Sequence, residues 1–320
     1  MPPVDSKTAS DEATDANWST RLALPFFLIT LVITFIGFAL FGASQAGAFP
    51  VTIPYEVAWF AQFGPSGVAV YLTWRRGGGS AAKDLLGRLV QWRVAPTWYA
   101  VALFTAPVMA GLVLFGNDVL GAEVVAWAKF ATLPSALGAA LDGRVMARWP
   151  LQSIVDAARA GPAWVTVGTF GLFALTAGGL SEELGWRGYA LSRIQTYYTT
   201  LAAGVVIALY WSVWHIAPPV WEVLFTQGLG PFLGAAGATV GQYVAFGTPL
   251  SILFVWTVNR SGGSVLMAVF FHASWNTTAL TMMELFPAAY LLETSLLIWV
   301  VAIVVVAADR AHFFSRSPEE

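Results

Sequence analysis

Eight stretches of this chain, near residues 22–42, 54–74, 97–116, 163–184, 200–217, 236–258, 264–283 and 288–308, are each mostly apolar. A helix needs about 20 such residues to cross the hydrocarbon core of a bilayer. A segment in that core must satisfy its own backbone hydrogen bonds, and a continuous apolar run does so as a helix. The expected fold is therefore all-α: a polytopic membrane bundle of about eight transmembrane helices spanning residues 22–308. Composition agrees. Charged residues make up 11% of the 320, against 57% apolar residues that include 15 Trp and 22 Phe, whereas soluble domains carry about 25% charge. A net charge of −2 offers nothing to a nucleic acid, and no cysteine is present. That excludes disulfides, thiolate metal sites and a cysteine nucleophile.

Residues 1–21 are polar, acidic and rich in Ser and Thr, and they lack the basic start and short apolar core of a signal peptide. They read as a disordered tail, and residues 309–320 as a second tail. The segment 119–141 is apolar but interrupted by Lys129 and Pro134, so it reads as interfacial or re-entrant. The loop after the second span carries Arg75, Arg76, Lys83, Arg88 and Arg93. Its "AAKDLLGRLVQWRV" alternates apolar and basic residues at helical spacing, as a helix lying on anionic headgroups would. Basic short loops stay cytoplasmic. Eight spans then place both termini in the cytoplasm of what reads as a bacterial plasma membrane, with Arg187, Arg193, Arg260, Arg310 and Arg316 on the same side. Lys129, Arg144, Arg148 and Arg159 in the long loop 117–162 run against this bias, but long loops follow it less closely. No internal repeat is visible, which argues against an inverted-repeat transporter.

Against this background three polar sets stand out, because an ionised group in a membrane helix costs about 2.5–3.5 kcal/mol. The first is Glu182, Glu183 and Arg187 in "TAGGLSEELGWRGYALSRI". Glu183 and Arg187 are four apart and share a helix face. Glu182 is rotated by about 100° and is left for another task. A carboxylate held in an apolar cavity keeps its proton more readily, which suits a general base near neutral pH. The alternative is a solvated ion pair where a helix surfaces. The second set is His215 in "LYWSVWHIAPPVW", with Pro218 and Pro219 ending or kinking the helix soon after. The third is His272 and Asn276, four apart on one face of an apolar helix. Such a pair can bind a metal, donate to a developing oxyanion, or join helices by polar contact.

Taken in order, Glu182-Glu183-x3-Arg187, Trp211-x3-His215 and His272-x3-Asn276 resemble the motifs of the CPBP family of intramembrane proteases. This is the CAAX-protease and bacteriocin-processing (Abi) group, which includes the eukaryotic prenyl-protein endopeptidase. The likeness covers about residues 163–284. Trp211 stands where that family usually has Phe. The resemblance implies an eight-helix bundle with a cavity open to the cytoplasm and hydrolysis of a peptide bond. It implies that Glu182 activates water with help from His215, that Glu183 holds Arg187, and that His272 and Asn276 stabilise the oxyanion. Metal-free chemistry is the preferred expectation; a zinc ion on Glu182, His215 and His272 is the alternative, and requires three helices to converge. The implied partners are a peptide substrate and anionic lipid near residues 75–93. A non-catalytic immunity or binding protein on the same scaffold is the competing class. A proton-coupled transporter ranks below it, since Glu284 and Glu293 read as external-face residues.

Depth is the open question. With a span ending at residue 184, Glu182 lies at a different level from His215 and His272. The levels coincide if the fourth helix runs on through "RGYALSRI" toward Ile194 and the fifth starts near Gly204.

Overall fold

The computed structural model describes residues 22–48, 50–120, 168, 171, 172, 174–285 and 287–316. The expectations for residues 1–21, 119–141 beyond Leu120, most of 117–162, the start of the fourth span and the last four residues lie outside this set. All regular elements among the described residues are helical. The protein is an integral membrane protein. Three described helices are long and apolar enough to cross a bilayer: α1 (Leu24–Gln45), α4 (Pro96–Val119) and α8 (Leu229–Arg260). Thr200–Trp214 (α6) is a shorter apolar helix, as is the Glu293–Ala308 part of α10 (Pro287–Ala308).

The second apolar run is two helices rather than one. α2 (Tyr55–Gln62) ends at Phe63, and α3 (Gly64–Gly87) starts afresh with Pro65 in its first turn, where a residue without an N–H costs nothing. α3 bends at Gly78, whose φ of 68° suits glycine. The amphipathic segment is helical only to Gly87, short of the expected "RLVQWRV". Ala82 and Leu85 turn into the protein, and Arg88 is drawn inward by two backbone carbonyls, those of Gly188 and Gly263, at 2.7 and 2.8 Å.

After Gln195 the chain turns through four residues. α6 begins at Thr200, not near Gly204, because the Thr199 hydroxyl caps it by accepting from the Ala202 amide. His215 and Ile216 form a turn, and α7 (Ala217–Gln227) restarts with proline in its first turn. α8 begins at Leu229, earlier than expected, and its 32 residues rise about 48 Å. That exceeds the roughly 30 Å hydrocarbon core, so α8 tilts or extends beyond it. Its first half is largely exposed, and burial is continuous from Gly247 to Val255.

The core forms where α6 packs along α8, α4 along α9 (Val265–Leu285), and α3 along the helix that carries the glutamates. Small residues permit these approaches: Ala203, Gly204 and Ala208 face α8, and Ser251 donates to the Gly204 carbonyl at 2.9 Å. In a bilayer close packing and interhelical hydrogen bonds supply what the hydrophobic effect does not. Glu293 on α10, expected on the external face, is half-buried and accepts from Asn117 of α4 at 2.5 Å.

Candidate active site

The helix bearing Glu182 and Glu183, called α5 here, runs without a break from Leu175 to Gln195. It alternates π-helical Leu175–Leu180 and Leu184–Ala190 with α-helical Ser181–Glu183 and Leu191–Gln195. This is the continuation that the depth argument required. Four glycines, at 178, 179, 185 and 188, lower the cost of leaving α geometry. A π turn widens the helix and loosens its carbonyls from the usual pattern, and those carbonyls find other donors. Ser66 of α3 donates to the Leu180 carbonyl at 2.8 Å, and Arg88 to that of Gly188. Gly185 lets α3 approach directly, since a Cβ there would lie 2.5 Å from the backbone of Pro65.

Between the two π turns, Ser181, Glu182 and Glu183 are buried, and so is Arg187, which the charge bias had placed at the cytoplasmic surface. The Arg187 Nη1 donates to Glu183 Oε1 at 3.0 Å, as the four-residue spacing predicts. The same oxygen lies 2.7 Å from Nδ1 of His272, 89 residues away on α9. The Arg187 guanidinium lies between two rings, 4.5 Å from the Phe254 centroid and 5.2 Å from that of Trp211, so cation–π attraction replaces part of its lost hydration. Glu183 Oε2 and Arg187 Nε and Nη2 have no hydrogen-bond partner in this structure.

Glu182 points elsewhere, toward α6. Its Oε2 accepts from the indole Nε1 of Trp211 at 2.6 Å, a bond between two side chains each 2% exposed. Trp211 also meets His272 edge-on at 5.7 Å and His215 at 4.9 Å. His215 stacks on Tyr243 of α8 at 3.7 Å between centroids. Its Nδ1 is 2.8 Å from the Trp211 carbonyl. A carbonyl only accepts, so Nδ1 carries the proton and Nε2 of the neutral ring keeps a free lone pair. By the same logic His272 Nδ1 donates to the ionised Glu183, leaving Nε2 on the opposite side. That side faces Gly178, where an added Cβ would lie 2.9 Å from His272 Nε2 and 2.7 Å from Asn276 Nδ2. Both nitrogens therefore crowd one bare patch of α5 backbone.

The structure thus brings Glu182, Glu183, Arg187, Trp211, His272 and Asn276 into one linked cluster, with His215 joined to it through the Trp211 ring. Three contributors escaped the sequence reading: Tyr243, Phe254 and Gly178. Tyr243 and Phe254 are aromatic residues in a helix rich in them, and only the spacing of "AGG" before the glutamates hinted at Gly178. The zinc alternative would need Glu182, His215 and His272 to converge on one ion. Among the described residues no three histidine or carboxylate side chains form a group able to hold a metal ion. Trp211, a backbone carbonyl and Glu183 engage Glu182 Oε2 and the Nδ1 atoms of His215 and His272, which leaves Glu182 Oε1 and the two Nε2 atoms as the remaining donors.

Residues 163–278 match the profile of the Rce1-like, type II CAAX prenyl endopeptidases. The chain resembles the Rce1-like family through this segment. It contains every member of the cluster just described. A second likeness agrees: 145 residues are 28% identical to the CAAX prenyl protease 2 of Methanococcus maripaludis, covering 45% of this chain and 52% of that one. The chain thus aligns with about half the length of this relative.

Proposed function

We propose that this protein is an intramembrane endopeptidase that hydrolyses a peptide bond of a membrane-associated or secreted peptide with water activated by Glu182. The observation that carries this reading is the division of labour between the adjacent glutamates: Oε1 of Glu183 is shared by Arg187 and His272, while Glu182 bonds to neither and is oriented through Oε2 by the neutral indole of Trp211. The match of residues 163–278 to the Rce1-like profile and the name of the archaeal relative support it.

In this mechanism Glu182 takes a proton from a water, and the hydroxide attacks the substrate carbonyl carbon. His215, with Nε2 free, holds the water from the other side. Negative charge moves to the carbonyl oxygen, where Nε2 of His272 and Nδ2 of Asn276 receive it. In this step His272 acts as the imidazolium, with Nδ1 donating to Glu183 and Nε2 to the oxyanion. An ionised Glu182 and Glu183 with Arg187 and an imidazolium sum to zero charge, as a low-dielectric site demands. Collapse of the intermediate breaks the C–N bond, and the proton on Glu182 passes to the departing amine. No step passes through a metal. Removing one oxyanion donor costs on the order of 10²–10³ in rate.

The test is cleavage of a quenched peptide library by the purified protein, read by mass spectrometry. Glu182→Gln keeps the acceptor for Trp211 but cannot act as a base, so it should fold normally and lose turnover. Unchanged cleavage by this variant would remove Glu182 from the chemistry. Persistence of wild-type turnover in a strong chelator checks the metal-free step. Substrates trapped by the same variant identify the physiological peptide.

A further inference from the structure

Outside the glutamate cluster, a cleft of about 160 Å³ opens where the start of α1, the basic stretch of α3 and the end of α5 meet. Its walls include Ala23, Pro25, Arg76, Tyr189, Arg193 and Thr196. Arg193 lies flat over the Tyr189 ring at 3.6 Å. Tyr189 is itself buried and in contact with Phe26 of α1, so the guanidinium is held in place rather than free in solvent. Arg76 enters the same cleft from α3, close enough for the two cations to repel.

Three arginines elsewhere among the described residues have partners. Arg187 has Glu183, Arg260 has Asp309, and Arg88 has two backbone carbonyls. Among the described residues neither Arg76 nor Arg193 has a carboxylate, and no acidic side chain lines the cleft. Two guanidiniums lining one cleft are stabilised by an anion that both can grip, and the planar donor fork suits the oxygens of a phosphate. The field of α1 adds to theirs. This 22-residue helix starts at the cleft wall, from Ala23 at φ 50°, with no side chain capping its first amides.

We propose that this cleft is a phosphate site, filled by the headgroup of an anionic phospholipid. The surroundings favour a lipid over a free ion. Trp74, two residues before Arg76, is more than half exposed, and Tyr71 and Leu28 are exposed on the flanking helices. Exposed Trp and Tyr beside arginines mark the headgroup level of a membrane protein. A lipid anchored there keeps its chains along α1 while its phosphate meets Arg76 and Arg193.

The experiment is thermal unfolding of the purified full chain in a neutral detergent. It is titrated with dihexanoyl phosphatidylglycerol, with dihexanoyl phosphatidylcholine and with inorganic phosphate. Phosphatidylglycerol should raise the melting temperature saturably and phosphatidylcholine should not. Arg76→Gln and Arg193→Gln should each raise the half-saturating concentration about tenfold, the loss expected for one charge-assisted contact. Arg75→Gln, a neighbour that does not line the cleft, should leave it unchanged. An equal loss in all three variants means diffuse surface charge and overturns the site, as does full retention in Arg76→Gln and Arg193→Gln. Inorganic phosphate acting as strongly as the lipid overturns the lipid assignment. A response seen only after residues 1–21, with Asp5, Asp11, Glu12 and Asp15, are removed means that the acidic tail occupies the cleft, and overturns it too.

Discussion

Adjacent glutamates became chemically distinct because they face different helices. Glu183 meets Arg187 and His272; Glu182 meets Trp211. The pairing of Glu183 with Arg187 was legible from spacing alone, since residues four apart on a helix touch. The sharing of Glu183 Oε1 with His272 was not, because it depends on how α9 is placed against α5. Two outcomes follow at this scale. Trp211→Phe keeps the ring that packs on His215 and His272 but deletes the donor to Glu182. A hydrogen bond to a charged group is worth about 1.5–3 kcal/mol, so turnover of a cleavable peptide should fall roughly ten- to a hundredfold with little change in melting temperature. Arg187→Ala should instead lower the yield of folded protein, because stranding a buried carboxylate costs about 3–5 kcal/mol. Size-exclusion profiles of the solubilised variants separate the two effects.

α5 takes its shape from glycines and from the donors that its π turns recruit. The run of helix formers through "RGYALSRI" correctly indicated continuation past residue 184, which carries the glutamates inside the bundle. Periodicity could not reveal the π turns, since they change the register by less than one residue per turn and leave composition unchanged. Gly178→Ala should abolish activity, because a methyl group there sits under 3.0 Å from both His272 and Asn276 and displaces them; His272 cannot retreat without straining its bond to Glu183. Overpacking of this kind costs about 1–3 kcal/mol, so the variant should still fold; a fully active Gly178→Ala would show that the two nitrogens do not serve the reaction. In the cysteine-free background, single cysteines at Ser192 and Thr196, which are exposed, should label readily with an aqueous maleimide. Cysteines at Trp186 or Ala190, which are buried, should not label in the folded protein.

Across the whole molecule, one end of the bundle gathers Arg88, Arg193, Arg260, Arg310 and Arg316, linked by contacts such as the Thr200 amide with the Ser315 carbonyl at 3.1 Å. We propose that this end faces the cytoplasm, which protease protection of a C-terminal tag in oriented vesicles would check. The arginine at the end of α8 clasps the loop after α10 there: Arg260 Nε donates to Asp309 at 2.6 Å, joined by Trp256 Nε1 at 3.0 Å. These bonds hold the Asp309 carboxyl below its usual range. Its folded value lies below its unfolded one, so the clasp stabilises above the ordinary carboxylate pKa of about 4 and is lost as pH falls through the folded value. Melting temperatures of the parent protein and Asp309→Asn should therefore differ at neutral pH and converge in acid. The gap should be small and shrink in high salt, because the pair is largely exposed.

Apolar run length and the scarcity of charge were enough to specify a helical membrane protein, because a bilayer admits few ways of satisfying a backbone. They were also enough to isolate six polar residues as the place where chemistry could occur. Helix starts were less visible, since the turn at Phe63, the Thr199 cap and the early beginning of α8 rest on local hydrogen bonds within a uniformly apolar background. The arrangement of the site itself came from packing. Small residues on α5, α6 and α8 set how closely those helices approach, and that distance places an indole nitrogen on one carboxylate and an imidazole on its neighbour.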